Sequence, residues 1–339
     1  MCIEILSPGL LTTIQDLGRY GFRKYGVIVS GSMDSFSHRV ANLLVGNDEG
    51  EATLEVTLMG PKILIKENCL ISICGANLSA KINNCEAQLW RPMYVKAGSV
   101  LSFGKCLSGT RSYIAFAGSF NINKTMDSKS TYLRAAIGGF CGRALKQGDI
   151  INLNKPTVEG TQITNKLCEI NNNNNNNNNC FTSPKWFVSA DFLPKYSSSP
   201  IVRVIRGGQF EYFNEESKSS LFNSKFDITP QSDRMGYRLN GCNLQLKTPL
   251  DMISEAVAQG AIQVPPDGNP IILLADRQTT GGYPKIAETI SIDIPILAQL
   301  KPGDVVSFCE VSLDEAQELY IMREKNINYF KKIIGLKME

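Results

Sequence analysis

Short apolar runs separated by turn residues recur along the chain, and they predict a mainly β fold with few helices. Residues 3–6 and 10–14 have the pattern of strands and flank Ser7-Pro8-Gly9, which suits a type II turn. The apolar run at 270–275 lies between two glycine-rich polar loops, which is typical of a buried strand.

One unit recurs three times: a lysine, a glycine two positions later, and then a β-rich run. The glycine suits the turn and the run suits a strand. The unit occurs in both halves of the chain, as it would in closed or partly closed barrels. The three copies begin at Lys96, Lys146 and Lys301.

Two segments have the pattern of a helix. Ser32 to Asp34 precede Phe36, Val40, Leu43 and Leu44 at helical spacing, and Gly46 stands at the expected C-cap. Residues 312–315 read Ser-Leu-Asp-Glu, a capping-box sequence that predicts a C-terminal helix running toward Lys332.

A chain of 339 residues predicts about two domains. Nine consecutive asparagines at 171–179 cannot bury apolar area, so we expect a disordered loop or linker there. We therefore predict an N-terminal mainly β lobe at 1–155, a linker at 156–185, a C-terminal β lobe at 186–310 and a C-terminal helix at 311–339.

The composition is that of a globular protein, with 43% hydrophobic and 20% charged residues. A net charge of +3, without long runs of basic residues, argues against nucleic acid and membrane surfaces as partners. No apolar stretch approaches a membrane span, and the N-terminus lacks the basic region of a signal peptide. We expect a cytoplasmic protein with ten reduced cysteines. With one histidine, His38, and no CxxC pair, we expect no metal site.

Two candidate binding clusters lie in the N-terminal half. In the first, Gln15, Asp16 and Arg19 are followed by Ser30 and Asp34, and Ser32 or Asp34 either caps the next helix or lies beside a bound anion. The second places Arg134 shortly before the paired glycines 138–139. Its guanidinium suits a carboxylate or phosphate, or a surface ion pair.

The C-terminal half holds two more clusters. Asp233, Arg234 and Arg238 surround a glycine, and in a strand the two arginines would share a face. The polar loops around the 270–275 run carry the densest set of uncharged hydrogen-bonding groups, which favours a binding site over tight turns alone. This last set comprises Gln263, Asp276, Gln278, Thr279 and Tyr283, with Glu255 nearby.

Several familiar catalytic motifs are missing from the sequence. It has no GxxxxGK phosphate loop, no G-x-S-x-G elbow and no kinase signature. A histidine-dependent triad would rest on His38 alone. If the chain is catalytic, we expect carboxylates, lysine or tyrosine as acids and bases, with arginine holding anions.

Taken together, eight motifs resemble the biotin-dependent carboxyltransferase family, also called allophanate hydrolase subunit 2. The resemblance covers about residues 3–310. The chain departs from the family at Ile28, where proline is usual, and at Gly118-Ser119, where Gly-Gly is usual, and neither change removes a charged group. The motifs lie at 15–19, 30–34, 41–47, 54–57, 75–78, 130–134, 232–238 and 278–284.

This resemblance implies a cyclophilin-like β-barrel lobe with a second mainly β lobe, acting with a B subunit of related fold. Family members include the C subunit of an ATP-dependent 5-oxoprolinase, in which an A subunit joins the other two and the lactam is opened to glutamate. The ATP would be used by the complex and not clearly bound by this chain. We expect Glu55, Asp233 and Asp276 as candidates for proton transfer. The expected substrate-binding residues are Gln15, Asp16, Arg19, Ser30, Asp34, Asn77, Arg134, Arg234, Arg238, Gln263, Gln278, Thr279 and Tyr283.

Two alternatives stay open. The first is the carboxyltransferase of a urea carboxylase or urea amidolyase, in which carboxybiotin would arrive on another protein because this chain lacks an Ala-Met-Lys-Met biotinylation context. The second is a non-catalytic antagonist of a histidine-kinase inhibitor. Sequence alone does not separate these three functions.

Overall fold

The computed structural model describes residues 1–173 and 181–338, which divide into two compact units. The first unit comprises Met1–Arg19, Asp34–Pro194 and the described residues from Ile327 onward, and the second comprises Tyr20–Met33 and Lys195–Asn326. This division differs from the predicted lobes. Residues 20–33 belong with the second unit because they are hydrogen-bonded to its loops, as described below.

The first unit is built on two six-stranded sheets, and every pairing between its strands is antiparallel. One sheet has the order β11-β1-β4-β9-β6-β7 and the other β12-β8-β5-β10-β3-β2. The strands are β1 (Cys2–Ser7), β2 (Leu11–Gln15), β3 (Thr53–Thr57), β4 (Lys62–Ile65), β5 (Cys69–Asn77), β6 (Lys81–Ile82), β7 (Cys85–Glu86), β8 (Pro92–Val95), β9 (Val100–Ser102), β10 (Ser108–Phe116), β11 (Ile150–Asn152) and β12 (Phe181–Thr182).

Alternation along β3 divides its side chains between two environments. Leu54 and Val56 join the apolar core that also contains Ile3 and Ile5 of the other sheet. Thr53 and Glu55 lie on the opposite face, and both are buried. A strand that is buried on both faces loses the simple apolar-polar pattern, and here its second face carries polar groups.

Helix α1 (Ser35–Leu44) packs on that second face. Its apolar residues Phe36, Val40 and Leu44 are buried in the same cluster as Tyr113 of β10. The predicted helix is confirmed, with Asp34 as its N-cap. Gly46 follows the C-cap with a φ of 71°, and a Cβ there would lie 2.4 Å from the backbone nitrogen of Gly160, so glycine is required.

Helix α2 (Val158–Asn173) occupies much of the predicted linker. Ile163 and Leu167, four residues apart, are buried in the same apolar cluster as residues of α1. This packing stabilises the helix, because its polar C-terminal end contributes no apolar contacts. The first three asparagines of the tract therefore complete α2 instead of forming a loop. The rest of the tract lies outside the described residues.

The second unit contains a closed seven-stranded barrel with the order β13-β20-β17-β18-β15-β14-β21, and a separate two-stranded sheet of β16 and β19. The predicted mainly β fold is confirmed, and the predicted run at 270–275 contains the buried strand β18. The strands of this unit are β13 (Ile201–Arg206), β14 (Phe226–Ile228), β15 (Gly236–Asn240), β16 (Glu255–Ala256), β17 (Ala261–Gln263), β18 (Ile271–Leu273), β19 (Thr280–Gly281), β20 (Lys285–Thr289) and β21 (Val305–Glu310).

Three helices accompany the barrel: α3 (Glu215–Asn223), α4 (Ile294–Ala298) and α5 (Leu313–Met338), which begins in this unit. Ser312 accepts a hydrogen bond from the backbone nitrogen of Glu315 at 3.1 Å, which confirms the predicted cap of α5. No helix in the described part of the chain is long and apolar enough to span a membrane.

The recurring lysine-glycine units form the predicted turns. Gly98, Gly148 and Gly303 have φ values of 81°, 85° and 88°, and each is followed by a strand, namely β9, β11 and β21. Residues other than glycine rarely adopt this conformation. The three lysine-glycine segments thus share one turn conformation, and they occur in both structural units.

The expectation of ten reduced cysteines is wrong at Cys85, which is disulfide-bonded. Cys85 lies on β7, and both residues of that strand are exposed. Among the described residues, eight other cysteines are free thiols. Burial raises the pKa of the Cys69 thiol to about 12, so Cys69 is an inert core residue.

Candidate functional site

A buried ion pair anchors the polar loops of the second unit. Antiparallel pairing of Gly236 with Leu273 brings the residues that precede β15 beside those that follow β18. Arg234 donates from Nε to Asp276 Oδ2 at 2.9 Å and from Nη2 to Oδ1 at 3.0 Å. Both side chains are 8% exposed. A bidentate pair of this kind fixes the loop that begins at Asp276.

The same pair holds the segment 20–33. Ser30 Oγ donates to Asp276 Oδ1 at 2.7 Å, and Arg234 Nη2 donates to the carbonyl of Gly31 at 2.6 Å. Ser30 has a φ of 58° and Gly31 a φ of 94°, so the chain turns sharply here. Three distant sequence motifs therefore meet at one carboxylate, through Ser30, Arg234 and Asp276.

Three predicted binding residues follow on the anchored loop. Gln278 and Thr279 are half-buried and Tyr283 is 45% exposed. Within the described residues, their side chains make no hydrogen bond to protein. They are therefore available to a ligand, which is what a substrate-binding loop requires.

Gln263 of β17 supports this loop from beneath. It is buried, and its Nε2 donates to the carbonyl of Tyr283 at 3.1 Å. Glu255 pairs with Lys285 at 3.0 Å and accepts a hydrogen bond from Gln209.

Asp233 and Arg238 are both exposed, unlike the residues of the buried ion pair. The prediction that Arg234 and Arg238 share a strand face is wrong, because Arg234 precedes the first residue of β15. Arg234 is buried, whereas Arg238 is exposed and lines a separate surface pocket of about 600 Å³. Asp233 Oδ1 accepts a hydrogen bond from the backbone nitrogen of Met235 at 2.8 Å, as in a side-chain-stabilised turn.

In the first unit, Asp16 organises the loop at 128–130. Its carboxylate accepts hydrogen bonds from the hydroxyls of Ser128 and Ser130 and from the backbone nitrogens of Gly18 and Lys129. Four donors occupy its oxygens, so this predicted substrate-binding residue is engaged in structure.

Gln15 and Arg19 bind the same region. Arg19 is fully buried and donates to the carbonyls of Thr125 and Ser130. Gln15 Nε2 donates to Thr13 and to the carbonyl of Thr131, while its buried Oε1 has no hydrogen-bond partner among the described residues.

Asp34 and Glu55 meet at a tyrosine that sequence reasoning missed. The Tyr113 hydroxyl donates to Glu55 Oε2 at 2.8 Å and accepts from the backbone nitrogen of Asp34 at 2.8 Å. Burial raises the pKa of Tyr113 well above its usual range, with Glu55 and Asp34 adding to the shift. The only signal for Tyr113 was its place in an apolar strand, which indicates core packing alone.

Asn77 and Arg134 join neither cluster. Asn77 Oδ1 accepts a hydrogen bond from the backbone nitrogen of Ser79 at 3.0 Å, closing a turn after β5. Arg134 is exposed in the short 3-10 helix Leu133–Ala135. Among the described residues, no group of three histidine, cysteine, aspartate or glutamate side chains could hold a metal ion.

Comparison with known proteins shows which family the chain belongs to. Residues 25–310 match the family model described as carboxyltransferase domain, subdomain A and B. The chain belongs to this carboxyltransferase family. The predicted resemblance is confirmed, and the matched residues include most of both structural units.

Two curated relatives match this carboxyltransferase-family chain over its whole length. It is 32% identical over 335 residues to the 5-oxoprolinase C subunit of Haemophilus influenzae, covering 99% of each chain. It is 33% identical over 332 residues to the 5-oxoprolinase C subunit of Escherichia coli, covering 98% of this chain and 97% of the relative.

A solved structure shows the same fold within a much longer protein. The crystal structure of the Kluyveromyces lactis urea amidolyase matches with a TM-score of 0.85 and 30% identity, over 97% of this chain and 20% of that one. The family domain thus occurs both as a separate polypeptide and within a longer chain.

Proposed function

We propose that this chain is the C subunit of an ATP-dependent 5-oxoprolinase, active in a cytoplasmic complex with the A and B subunits. The observation that carries the proposal is the match in length. The two relatives named as 5-oxoprolinase C subunits align end to end with this chain, whereas the urea amidolyase of Saccharomyces cerevisiae is covered over only 18% of its length.

We place the substrate at the loop that the Arg234–Asp276 pair anchors. Opening a lactam with ATP develops negative charge on the lactam oxygen, and hydrogen-bond donors aimed at that charge lower the barrier. Gln278, Thr279 and Tyr283 offer an amide and two hydroxyls on one loop. A rigid anchor beneath them keeps the donors oriented before the substrate arrives.

Proton transfer by Asp276 has less support from the geometry. Its two oxygens already accept hydrogen bonds from Arg234 and Ser30. We therefore assign it to positioning the loop. Glu55 is also engaged, through Tyr113, and Asp233 belongs to a turn. The base then comes from solvent or from a partner protein of the complex.

The function is tested by purifying the chain with its A and B partners and measuring ATP hydrolysis with and without 5-oxoproline. We expect hydrolysis stimulated by 5-oxoproline only when all three proteins are present. Equal stimulated hydrolysis without this chain would sink the proposal.

The urea carboxylase alternative is supported by the fold match to the Kluyveromyces lactis urea carboxylase at a TM-score of 0.85. It predicts carboxyl transfer from carboxybiotin, carried on another protein, to urea. Assaying that transfer in the same preparation separates the two enzymes. A chain active in neither assay, yet binding a protein like the B subunit, would fit the non-catalytic alternative.

Two substitutions test the loop itself within the active complex. Gln278→Ala and Tyr283→Phe each remove one donor from a side chain that makes no hydrogen bond to the described residues. We expect kcat/KM for 5-oxoproline to fall roughly 10-fold or more while thermal unfolding stays unchanged. Tyr212→Phe, at a tyrosine 52% exposed in the same unit, is the matched control and should retain full activity.

A further inference from the structure

Two arginines beside the anchored loop have guanidinium groups that no carboxylate of the described residues neutralises. Arg277 is 8% exposed, and Arg23 is half-buried in the 3-10 helix Arg23–Tyr25. Neither forms an ion pair within the described part of the chain. Their hydrogen bonds there go to backbone carbonyls alone.

The two guanidiniums lie side by side because they reach the same oxygen. Arg23 Nη2 donates to the carbonyl of Val257 at 2.6 Å, and Arg277 Nε approaches it at 3.4 Å. Arg277 Nη1 also donates to the carbonyl of Leu274 at 3.2 Å, and Arg23 to that of Thr279 at 3.4 Å. Carbonyls thus fix both side chains while leaving other N–H groups of each without an acceptor among the described residues.

This arrangement lowers the stability of the folded protein. Burial lowers the pKa of Arg277 to about 10, and the neighbouring charge of Arg23 contributes to the shift. Two like charges held together in a partly dry site repel each other. The cost would be relieved by an anion, for which paired guanidiniums provide several donors in a planar fork.

We propose that Arg23 and Arg277 form an oxyanion-binding subsite that takes a carboxylate or phosphoryl group. If the proposed function holds, on which the identity of the ligand rests, the group is the carboxylate of 5-oxoproline or a phosphate derived from ATP. Arg277 adjoins Gln278 and Thr279 in sequence, so an anion held here would lie beside the loop assigned to the lactam.

The subsite takes over the role expected of three other arginines. Arg234 is neutralised by Asp276, Arg238 lines a different pocket, and Arg134 is outside the cluster. Arg277 directly follows Asp276 in the sequence, but it is not the ion-pair partner of that aspartate. The aspartate pairs instead with Arg234.

Calorimetric titration of the full chain tests the proposal without any need for enzyme activity. The probes are 5-oxoproline, inorganic phosphate and 2-pyrrolidinone, a neutral lactam without a carboxylate. We expect saturable binding of at least one oxyanion and none of 2-pyrrolidinone. Binding of 5-oxoproline alone identifies a carboxylate site, and binding of phosphate alone a phosphoryl site.

Substitutions then assign that binding to the two arginines. Arg23→Gln and Arg277→Gln should each weaken it about 10-fold or more, and Arg277→Lys should restore it only in part, because lysine keeps the charge but loses the fork. Arg206→Gln removes a 52% exposed arginine of the same unit, paired with Glu310, and should leave affinity unchanged.

Thermal unfolding of each variant separates lost binding from lost folding. If Arg277→Gln does not fold, the half-buried Arg23 carries the test. Absence of saturable oxyanion binding, or wild-type affinity in a folded Arg23→Gln chain, overturns the subsite. Either result leaves the ATP hydrolysis assay of the three proteins unaffected, so the subsite and the proposed function fail separately.

Discussion

At the scale of single residues, the pair Arg234 and Asp276 shows how buried charges fix a loop. Asp276→Asn would leave the Arg234 guanidinium buried without its counter-charge, and we expect about 3–5 kcal/mol of lost unfolding free energy. Denaturant titration measures it. Arg206→Gln removes a surface ion pair and should cost less than about 1 kcal/mol. A loss that small for Asp276→Asn would contradict the structural role.

His38 is a second residue whose environment decides its chemistry. It is fully buried on α1, with Nδ1 2.9 Å from the hydroxyl of Thr53. The side-chain amide nitrogen of Asn42 lies 3.4 Å from Nε2 and donates to the carbonyl of Glu51. Since Asn42 is a donor, Nε2 accepts, Nδ1 carries the proton, and the ring is neutral.

This burial predicts a pH dependence of stability. Desolvation lowers the pKa of His38 from 6.5 to about 4, although nearby Asp16 and Glu55 oppose the shift. The unfolded chain then binds the proton at higher pH than the folded one. Stability is therefore lost as pH falls from about 6.5 to about 4, by about 3 kcal/mol.

Comparing the wild type with His38→Gln across that range isolates this contribution. The variant has no imidazole to titrate, so its unfolding free energy should fall less between pH 6.5 and pH 4. Parallel curves for the two proteins would show that His38 does not set the dependence.

At the scale of elements, α1 depends on one carboxylate at its start. Asp34 accepts hydrogen bonds from the backbone nitrogen of Ser37 at 2.9 Å and from its hydroxyl at 2.7 Å. We expect Asp34→Ala to destabilise the fold by about 1–2 kcal/mol and Asp34→Asn by much less, because asparagine also caps helices. Thermal unfolding measures both.

The same pair of variants tests Asp34 as a binding residue. If Asp34 only caps α1, the complex with Asp34→Asn should keep its 5-oxoproline-dependent activity. A large loss of kcat/KM in that stable variant would return Asp34 to the substrate-binding set.

Local patterns predicted the elements well because their causes are local. The spacing of Phe36, Val40 and Leu44, the turn glycines and the cap at Ser312 each depend on a few neighbouring residues. The assignment of residues 20–33 to the second unit was not predictable, because it depends on hydrogen bonds to residues more than two hundred positions away, such as Ser30 to Asp276.

The candidate site was predictable only in part for the same reason. Residue type brought out Asp276, Gln278 and Tyr283, since polar side chains are dense in one loop. The fold determines which charged side chains form ion pairs. The sequence alone therefore could not show that Asp276 pairs with Arg234 and that Arg277 forms no ion pair among the described residues.

At the scale of the whole molecule, β21 closes the barrel. It pairs in parallel with β13, Val202 opposite Phe308, and antiparallel with β14 on its other side. Phe308→Ala should cost about 3–5 kcal/mol, because the buried ring packs against Phe226. Leu313→Ala, at a leucine 57% exposed, is the control and should change unfolding in urea little.

The position of β21 in the chain also determines when the barrel can close during synthesis. During synthesis β13 and β14 leave the ribosome long before their shared neighbour, and until then each has an open edge with unpaired backbone groups. The nascent chain is therefore exposed to mispairing for most of the translation of this unit. Ribosomes that stall before Val305 would release chains suited to aggregation, and a cell that needs this protein has reason to shield those edges with a chaperone.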